Sequence, residues 1–205
     1  MTESVWVSSA IVDTTLTKWV SADVKLENLK WAEKNAHRHT SGQTLLLGEM
    51  PKKIFADKKH GKLKSLPDFC NCNGFQCMSQ KSADVFSKFD LGQGGLFPVE
   101  IYQPDKTTVF DLGYHFLNFG AVKCAFVPEQ SQDVRKRDRL PDWGMPWVMS
   151  DDLIAVSKSA FLGADLWTDP LLTSAFFVSD RLAKALKKEK LTRAFRLYRC
   201  KMVEG

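Results

Sequence analysis

Cys70, Cys72 and Cys77 stand close together with His60 upstream of them, and thiolate with imidazole is the donor set of a zinc site. A structural zinc needs four ligands at closely set spacing, and its usual signature is a pair of C-x-x-C knuckles. Here the spacing is C-x-C-x4-C with no second pair, so neither a metal nor another cofactor is expected. Cys77 also lies in the apolar run Phe75-Gln76-Cys77-Met78, where a thiol packs as a small hydrophobe. The same thiols, Cys72 or Cys77, offer a nucleophile to a hydrolase or a modification-reversing enzyme, provided a histidine stands within hydrogen-bond reach. The histidines are His37, His39, His60 and His115. His37-Arg38-His39 reads as a polar surface turn, and His115, between Tyr114 and Phe116, as a satisfied sheet residue.

Other catalytic patterns are absent. There is no G-x-S-x-G elbow, no G-x-x-x-x-G-K and no H-E-x-x-H. Gly92-Gln93-Gly94-Gly95 follows a helical pattern instead of opening one, so it lacks the helix N-terminus that binds phosphate. Asp151 and Asp152 are adjacent, and on a strand they would point to opposite faces. No catalytic residue is assigned, and the expected class is a non-enzyme.

The elements that would position any site are clearest in two stretches that read as one unit. Phe75-Gln76-Cys77-Met78 runs into Ser79 and a helical segment over 80–89, then a second apolar run over 95–102. Ala175-Phe176-Phe177-Val178 runs into Ser179, a helical segment over 180–189, and a run over 194–200. Each serine stands where a strand turns into a helix, and its oxygen can accept from an unpaired N–H of the first turn. Asp180 begins the second helix and Lys184, Lys187 and Lys188 load its end, which suits the helix dipole. Leu182, Ala185 and Leu186 share one face, as Val85, Phe86 and Phe89 do in the first. Phe97, Val99 and Ile101 alternate with Glu100 and Tyr102, the period of a half-buried strand. At an offset of 100, Ser79/Ser179, Ala83/Ala183 and Lys88/Lys188 are identical. The plainer reading is two unrelated β-α-β units with the same capping chemistry.

With 205 residues, 44% apolar and 26% charged, the chain suits one globular domain able to bury a core, or two small lobes. The expected lobes are 1–127, carrying the first unit over 68–102, and 147–205, carrying the second over 169–202. The charge- and proline-rich 128–146 links them. Further strands are expected at 5–12, 44–47, 109–119, 122–127, 147–157 and 161–167, with a partly helical stretch over 15–34 on which Leu26, Leu29 and Trp31 make a face. The fold class is α+β (mixed α/β), sheet-rich, with two similar strand-helix-strand units. No secretion signal or membrane span is read, and five cysteines suggest free thiols, so the cytoplasm is the expected location.

Net charge is +5, concentrated in two runs: Lys52, Lys53, Lys58, Lys59, His60, Lys62 and Lys64, and Arg135, Lys136, Arg137 and Arg139. Clustered lysine and arginine neutralise phosphates, which makes a nucleic-acid-binding module one alternative. The repeated aromatic interleaving of a single-strand binder is missing from both runs, so two solvated connectors are the preferred reading.

Several short blocks, in order, resemble a bacterial family. Pro67-Asp68-Phe69, Met78-Ser79 with its helix, Gly95-Leu96-Phe97-Pro98-Val99-Glu100-Ile101 and Tyr114-His115-Phe116-Leu117-Asn118 look like its middle. Leu166-Trp167-Thr168-Asp169-Pro170 and Phe176-Phe177-Val178-Ser179-Asp180-Arg181-Leu182-Ala183-Lys184-Ala185-Leu186 look like its C-terminal signature. The family is that of the cytoplasmic immunity proteins encoded beside polymorphic toxins, including type VI effectors, and the resemblance spans 67–203. It implies inhibition by binding: a cognate toxin effector, a nuclease among the candidates, would be the partner, occluded or distorted at its active site. No membrane or nucleic-acid partner is expected. An inhibitor of a basic nuclease is expected to be acidic, because complementary fields speed association, whereas this chain is net basic. A local acidic face is therefore expected, drawn from Asp142, Asp151, Asp152, Asp165 and Asp169, with Trp143 and Trp147 as aromatic anchors. The expected interface is Asp142, Trp143, Trp147, Asp151 and Asp152. Core burial is the competing fate of the tryptophans and suits Trp167 best.

Overall fold

Ser79 and Ser179 each end a strand and cap a helix, with nearly the same backbone (φ/ψ −66/161 and −66/160). The computed structural model describes residues 3–110, 113–138 and 141–204, so Arg139 and positions 111–112 lie outside the described residues. Around Ser79, β4 (Phe69–Cys72) and β5 (Phe75–Ser79) form a hairpin, followed by α3 (Gln80–Phe86) and β6 (Gly95–Tyr102). Asn73 and Gly74 close that hairpin with positive φ of 54 and 90, the left-handed backbone that a two-residue turn between twisted strands requires. Around Ser179, β11 (Leu166–Asp169) and β12 (Leu172–Ser179) form a second hairpin, followed by α4 (Asp180–Lys188) and β13 (Leu197–Arg199).

The units are not simple β-α-β crossovers. A further strand lies between the one before the helix and the one after it, antiparallel to both. In the first unit it is β7 (Tyr114–Asn118), in the second β1 (Val5–Ser8). The order β6-β7-β5-β4 therefore recurs as β13-β1-β12-β11. The registers agree as well: Ser79 faces Tyr114 as Ser179 faces Val5, and Phe97 faces Phe116 as Tyr198 faces Val7. The repeat is real at the level of topology, with its middle strand drawn from opposite sides of the unit in sequence.

A second element repeats that a fixed offset conceals. The Ser79 hydroxyl donates to Asp68 Oδ1 (2.7 Å) and its N–H to the Asp68 carbonyl (3.1 Å). The Ser179 hydroxyl donates to Asp165 Oδ1 (2.5 Å) and its N–H to the Asp165 carbonyl (2.9 Å). Each serine also accepts from the first turn of its helix, from Ser82 N–H (3.4 Å) and Leu182 N–H (3.3 Å). The cap thus ties the helix start to the beginning of the hairpin.

The inner faces of both units, and α3 and α4 with them, contribute to one central cluster: Phe69, Met78, Phe86 and Leu117 from the first, Phe176, Val178, Leu182, Leu186 and Phe195 from the second. Phe195 lies 5.0 Å from Phe69 and 5.1 Å from Phe86, centroid to centroid. A fully buried ring of this kind contributes about 1.5–3 kcal/mol, so the shared cluster holds the units together strongly. A second cluster lies on the other face of the second unit, with Val5, Val7, Trp167 and Phe177. A third lies on the other face of the first, with the three clustered cysteines, Phe75 and Phe116.

Extensions build the two six-stranded sheets. β2 (Val20–Ala22) and β3 (Lys53–Ala56) are added beside β6, with β3 parallel to it. Two short strands, β8 (Arg135–Lys136) and β9 (Trp143–Gly144), form a ribbon that joins β12 at Leu172, so the expected linker 128–146 contributes to the second sheet. β10 (Ala155–Ser157) pairs with β14 (Lys201–Val203). Four α-helices and fourteen strands among the described residues make this a sheet-rich α+β fold.

Several local expectations are corrected. The first strand stops at Ser8, and the stretch read as partly helical contains β2, α1 (Asp23–Glu27) and α2 (Leu29–Thr40). Leu26 and Leu29 are exposed; α2 buries Ala32, Asn35 and His39 instead. No strand forms over 44–47. Leu45 pairs with a side chain, its N–H donating to Asn118 Oδ1 (3.1 Å) while Asn118 Nδ2 donates to its carbonyl (2.8 Å). His39 is fully buried beside the rings of Phe75 and Phe119, and neither nitrogen has a hydrogen-bond partner.

Two predictions follow from these buried polar groups. Burial lowers the His39 pKa from 6.5 to about 3. The unfolded chain therefore takes up a proton near pH 6.5 that the native state refuses until about pH 3, and stability is lost as pH falls through that window. Urea unfolding should show a loss approaching about 1.4 kcal/mol per pH unit from this residue between pH 6 and 4, flattened in His39→Leu. The Asp165 carboxylate accepts from Ser179, Arg181 and the Asp90 N–H, whereas Asp68 accepts through its side chain from Ser79. Asp165→Ala should cost about 2–4 kcal/mol and Asp68→Ala about 1 kcal/mol at pH 7, read from unfolding midpoints.

Candidate functional site

The cysteines that looked reactive are packing residues. Cys70 and Cys77 face each other across β4 and β5, Cys72 follows on β4, and all three are buried in an apolar cluster. Burial pushes the Cys72 and Cys77 thiols well up, the opposite of what a nucleophile needs. His60 is at the surface, its ring stacked on Trp19 at 4.3 Å. Among the described residues no group of three or more His, Cys, Asp or Glu is placed to hold a metal ion.

The expected acidic face does not assemble, because its carboxylates are engaged within the fold. Asp142 is buried and accepts from the Thr173 hydroxyl (2.5 Å), with Arg137 at 3.6 Å. Asp169 Oδ2 accepts from the N–H groups of Ala125 and Phe126, both at 2.8 Å. Asp151 accepts from the Arg199 N–H (2.8 Å), and Asp152, in a turn with φ +67, accepts Arg199 Nε (3.2 Å) and Nη2 (2.5 Å). The Arg199 guanidinium holds the Asp152 pKa below its ordinary value. Asp165 is buried too. Burial pushes its pKa up, but the Arg181 guanidinium, the Ser179 hydroxyl and the Asp90 N–H outweigh that and hold it below the usual range.

The two expected tryptophan anchors part company. Trp143 is half-buried in β9, its N–H donating to the Leu171 carbonyl (2.8 Å) and its side chain packed on the second unit's outer cluster. Trp147 is 83% exposed, and Val148 beside it 81%. The ring is not loose: the Arg135 guanidinium lies 4.0 Å from its centroid and donates through Nη2 to the Met145 carbonyl (3.0 Å). Pro146 stiffens the approach. Trp147 overhangs a groove of about 490 Å³ that also takes in Val12, Met149 and Tyr198. The groove's charged members, Asp13 and Arg196, neutralise each other at 2.6 Å. Outside it, Arg135, Lys136 and Arg137 are exposed. Asp133, Asp138 and Asp151 are exposed as well, so the charges of the expected interface and the segment before it are mixed.

A cleft of about 190 Å³ gathers Lys123, Asp165, Ser179 and Arg181, a set that resembles a catalytic cluster. Its bonds argue for structure. Lys123 Nζ donates to the carbonyls of Ala160 (3.0 Å) and Ala164 (2.8 Å) and lies 3.5 Å from the Trp167 ring centroid. Burial lowers its pKa to about 8, with Asp165 and Asp90 pulling the other way. Two carbonyls and a ring face occupy its three N–H directions, so the ammonium pins the segment around 160–164 over Trp167.

Sequence reasoning named Trp147 but not Val148, Met149 or Tyr198, which share its surface. Two-residue strands such as β8 and β9 have no periodicity to read, and only the folded ribbon brings Arg135 over the ring. Compared with known proteins, the chain matches no family model and no curated protein.

A thiol titration tests the reading of the cysteines. Ellman's reagent should label one thiol of the native protein promptly, that of exposed Cys124, and all five only after denaturation. Prompt reaction at Cys72 or Cys77, located by peptide mapping, would restore them as nucleophiles.

Proposed function

We propose that this chain is a non-enzymatic binding protein that neutralises a toxin protein by covering or distorting its active site, and that it docks through Trp147. The observation that carries the reading is the presentation of Trp147 with Val148: a large exposed apolar pair, its tryptophan ring under the Arg135 guanidinium, beside a groove of about 490 Å³. A rigid aromatic anchor next to a pocket is the usual make-up of an interface hot spot, since little side-chain freedom is lost on binding. The order of the sequence blocks that resemble immunity proteins points the same way. The residues most suited to nucleophilic chemistry, Cys72 and Cys77, are used in packing.

The charge around the anchor is mixed: Arg135, Lys136 and Arg137 are exposed, and so are Asp138 and Asp151, while Asp142 and Asp152 are paired with Arg137 and Arg199. The apolar pair then defines the partner surface, an apolar socket on the toxin.

Co-expression with the toxin encoded beside its gene is the direct test. Restored growth and a co-eluting complex on size exclusion are expected. Trp147→Ala should weaken that complex by about 30-fold or more, the scale of a hot-spot truncation, and leave the unfolding midpoint unchanged. The absence of both rescue and complex with the parent chain would overturn the reading, and an unaltered affinity in Trp147→Ala would move the interface elsewhere.

A further inference from the structure

We infer that the outer face of the β2-β3-β6 sheet is a binding platform for single-stranded nucleic acid, with bases stacking at Trp19 and phosphates held by the lysines of 52–64 and by Lys106. The inference is independent of the inhibitor reading, because its residues lie on the other sheet.

The alternation of three strands creates the face. Val20, Ala22, Ile54, Ala56 and Ile101 point inward and are buried. The intervening positions Ser21, Phe55 and Tyr102 point outward and lie in one cross-strand row, since Ser21 faces Phe55 and Phe55 faces Tyr102. The Phe55 and Tyr102 rings are stacked, with centroids 5.5 Å apart. Trp19, just before β2, is 67% exposed and carries the His60 ring parallel to it, at 12° between planes. Along the chain the basic run holds one aromatic residue, Phe55, and the fold adds Trp19 and Tyr102 to it from neighbouring strands.

Ammonium groups lie among these rings. Lys106 Nζ is 5.6 Å from the Phe55 centroid and Lys53 Nζ 5.5 Å from that of Tyr102. Lys58, Lys59 and Lys106 border a concavity of about 350 Å³ that includes Phe55. The lysines of 52–64 are all exposed, and that stretch sets six of them against one aspartate, a surplus equal to the whole chain's +5. The acidic groups nearby serve local bonds: Asp57 accepts from the Lys59 N–H, Asp105 from Thr107 and Thr108, and Glu100 from the Tyr102 hydroxyl, with Lys53 at 3.9 Å.

Rings and ammonium groups side by side match the alternation of base and phosphate in a single strand. A duplex hides its bases from such a face, and an acidic peptide leaves the rings without stacking partners. These features select a strand with unpaired bases.

The test is fluorescence anisotropy of labelled 12-nucleotide oligo(dT) and oligo(U) with the full chain. Micromolar binding at 50 mM salt is expected. For about three phosphate contacts, affinity should fall about 18-fold between 50 and 200 mM salt, given a slope of about −0.7 per phosphate. Trp19→Ala should weaken binding at least about fivefold through lost stacking. The pair Lys58→Glu and Lys59→Glu should weaken it about tenfold or more, and Trp147→Ala and Lys136→Glu should not change it. All these side chains are exposed, and circular dichroism checks that each variant folds. Three results would overturn the inference: no binding at 50 mM salt, equal competition by polyglutamate or a 12-base-pair duplex, or unchanged affinity in Trp19→Ala.

Discussion

The carboxylate of Asp165 is the tie on which the second unit depends. It meets three parts of the chain: the Ser179 hydroxyl at the start of α4, the Arg181 guanidinium two residues on, and the Asp90 N–H that follows the first unit's helix. A buried charge is tolerable only when its lone pairs are filled, and here ionised donors and backbone fill them. The bond from Ser179 sets the angle between hairpin and helix, which in turn lets Phe176, Val178 and Leu182 reach the shared cluster. In the first unit Asp68 and Ser79 repeat the bond without the guanidinium. Lys81 stands where Arg181 does, at the second helical position, and reaches instead to the Glu189 carbonyl at the end of α4 (2.6 Å). The same position thus closes one unit on itself and ties the other to its neighbour.

What the sequence made legible was what is set within a turn or two of chain. Ser79 and Ser179 were readable as caps because a cap concerns four consecutive residues, and the faces of α4 and β6 because their periods run without interruption. Trp167 read as core and is core. The middle strands were not legible as such: β1 pairs with β12 across most of the chain, and nothing local to Val5–Ser8 announces that partner. Asp68 and Asp165 escaped comparison because the second hairpin is longer, the serine standing 14 positions after the aspartate against 11, so a fixed offset of 100 misses them. His39 was misread because charge and histidine around it suggest surface, while the helix turns that one position inward.

The candidate site was half legible for a related reason. An aspartate in a loop is assigned to the surface by default, yet Asp142, Asp151 and Asp152 each met an N–H, a hydroxyl or a guanidinium that the sequence does not place beside them. Trp147 is exposed, and its neighbours Pro146 and Val148 leave no alternating pattern that would bury it. The lysine run concealed β3, whose inward positions Ile54 and Ala56 are too few to signal a strand against so much charge.

Comparison of the two units shows where the exposed aromatic surfaces arise. Their shared parts, hairpin, cap, helix and returning strand, are absorbed in the central cluster and the two outer ones. The additions differ. On the first unit the outer side of β6 receives β3 and then β2, giving an open sheet face whose outward row carries Phe55 and Tyr102. On the second, the corresponding side of β13 is closed by the Asp152 N–H bonded to the Arg199 carbonyl, and the ribbon β8-β9 is attached to β12 instead. That ribbon carries Arg135 to Trp147. A repeated core needs each of its positions for packing and is free to vary only at its edges. The two exposed aromatic surfaces, unlike each other in shape and chemistry, therefore lie on the parts that the repeat does not share.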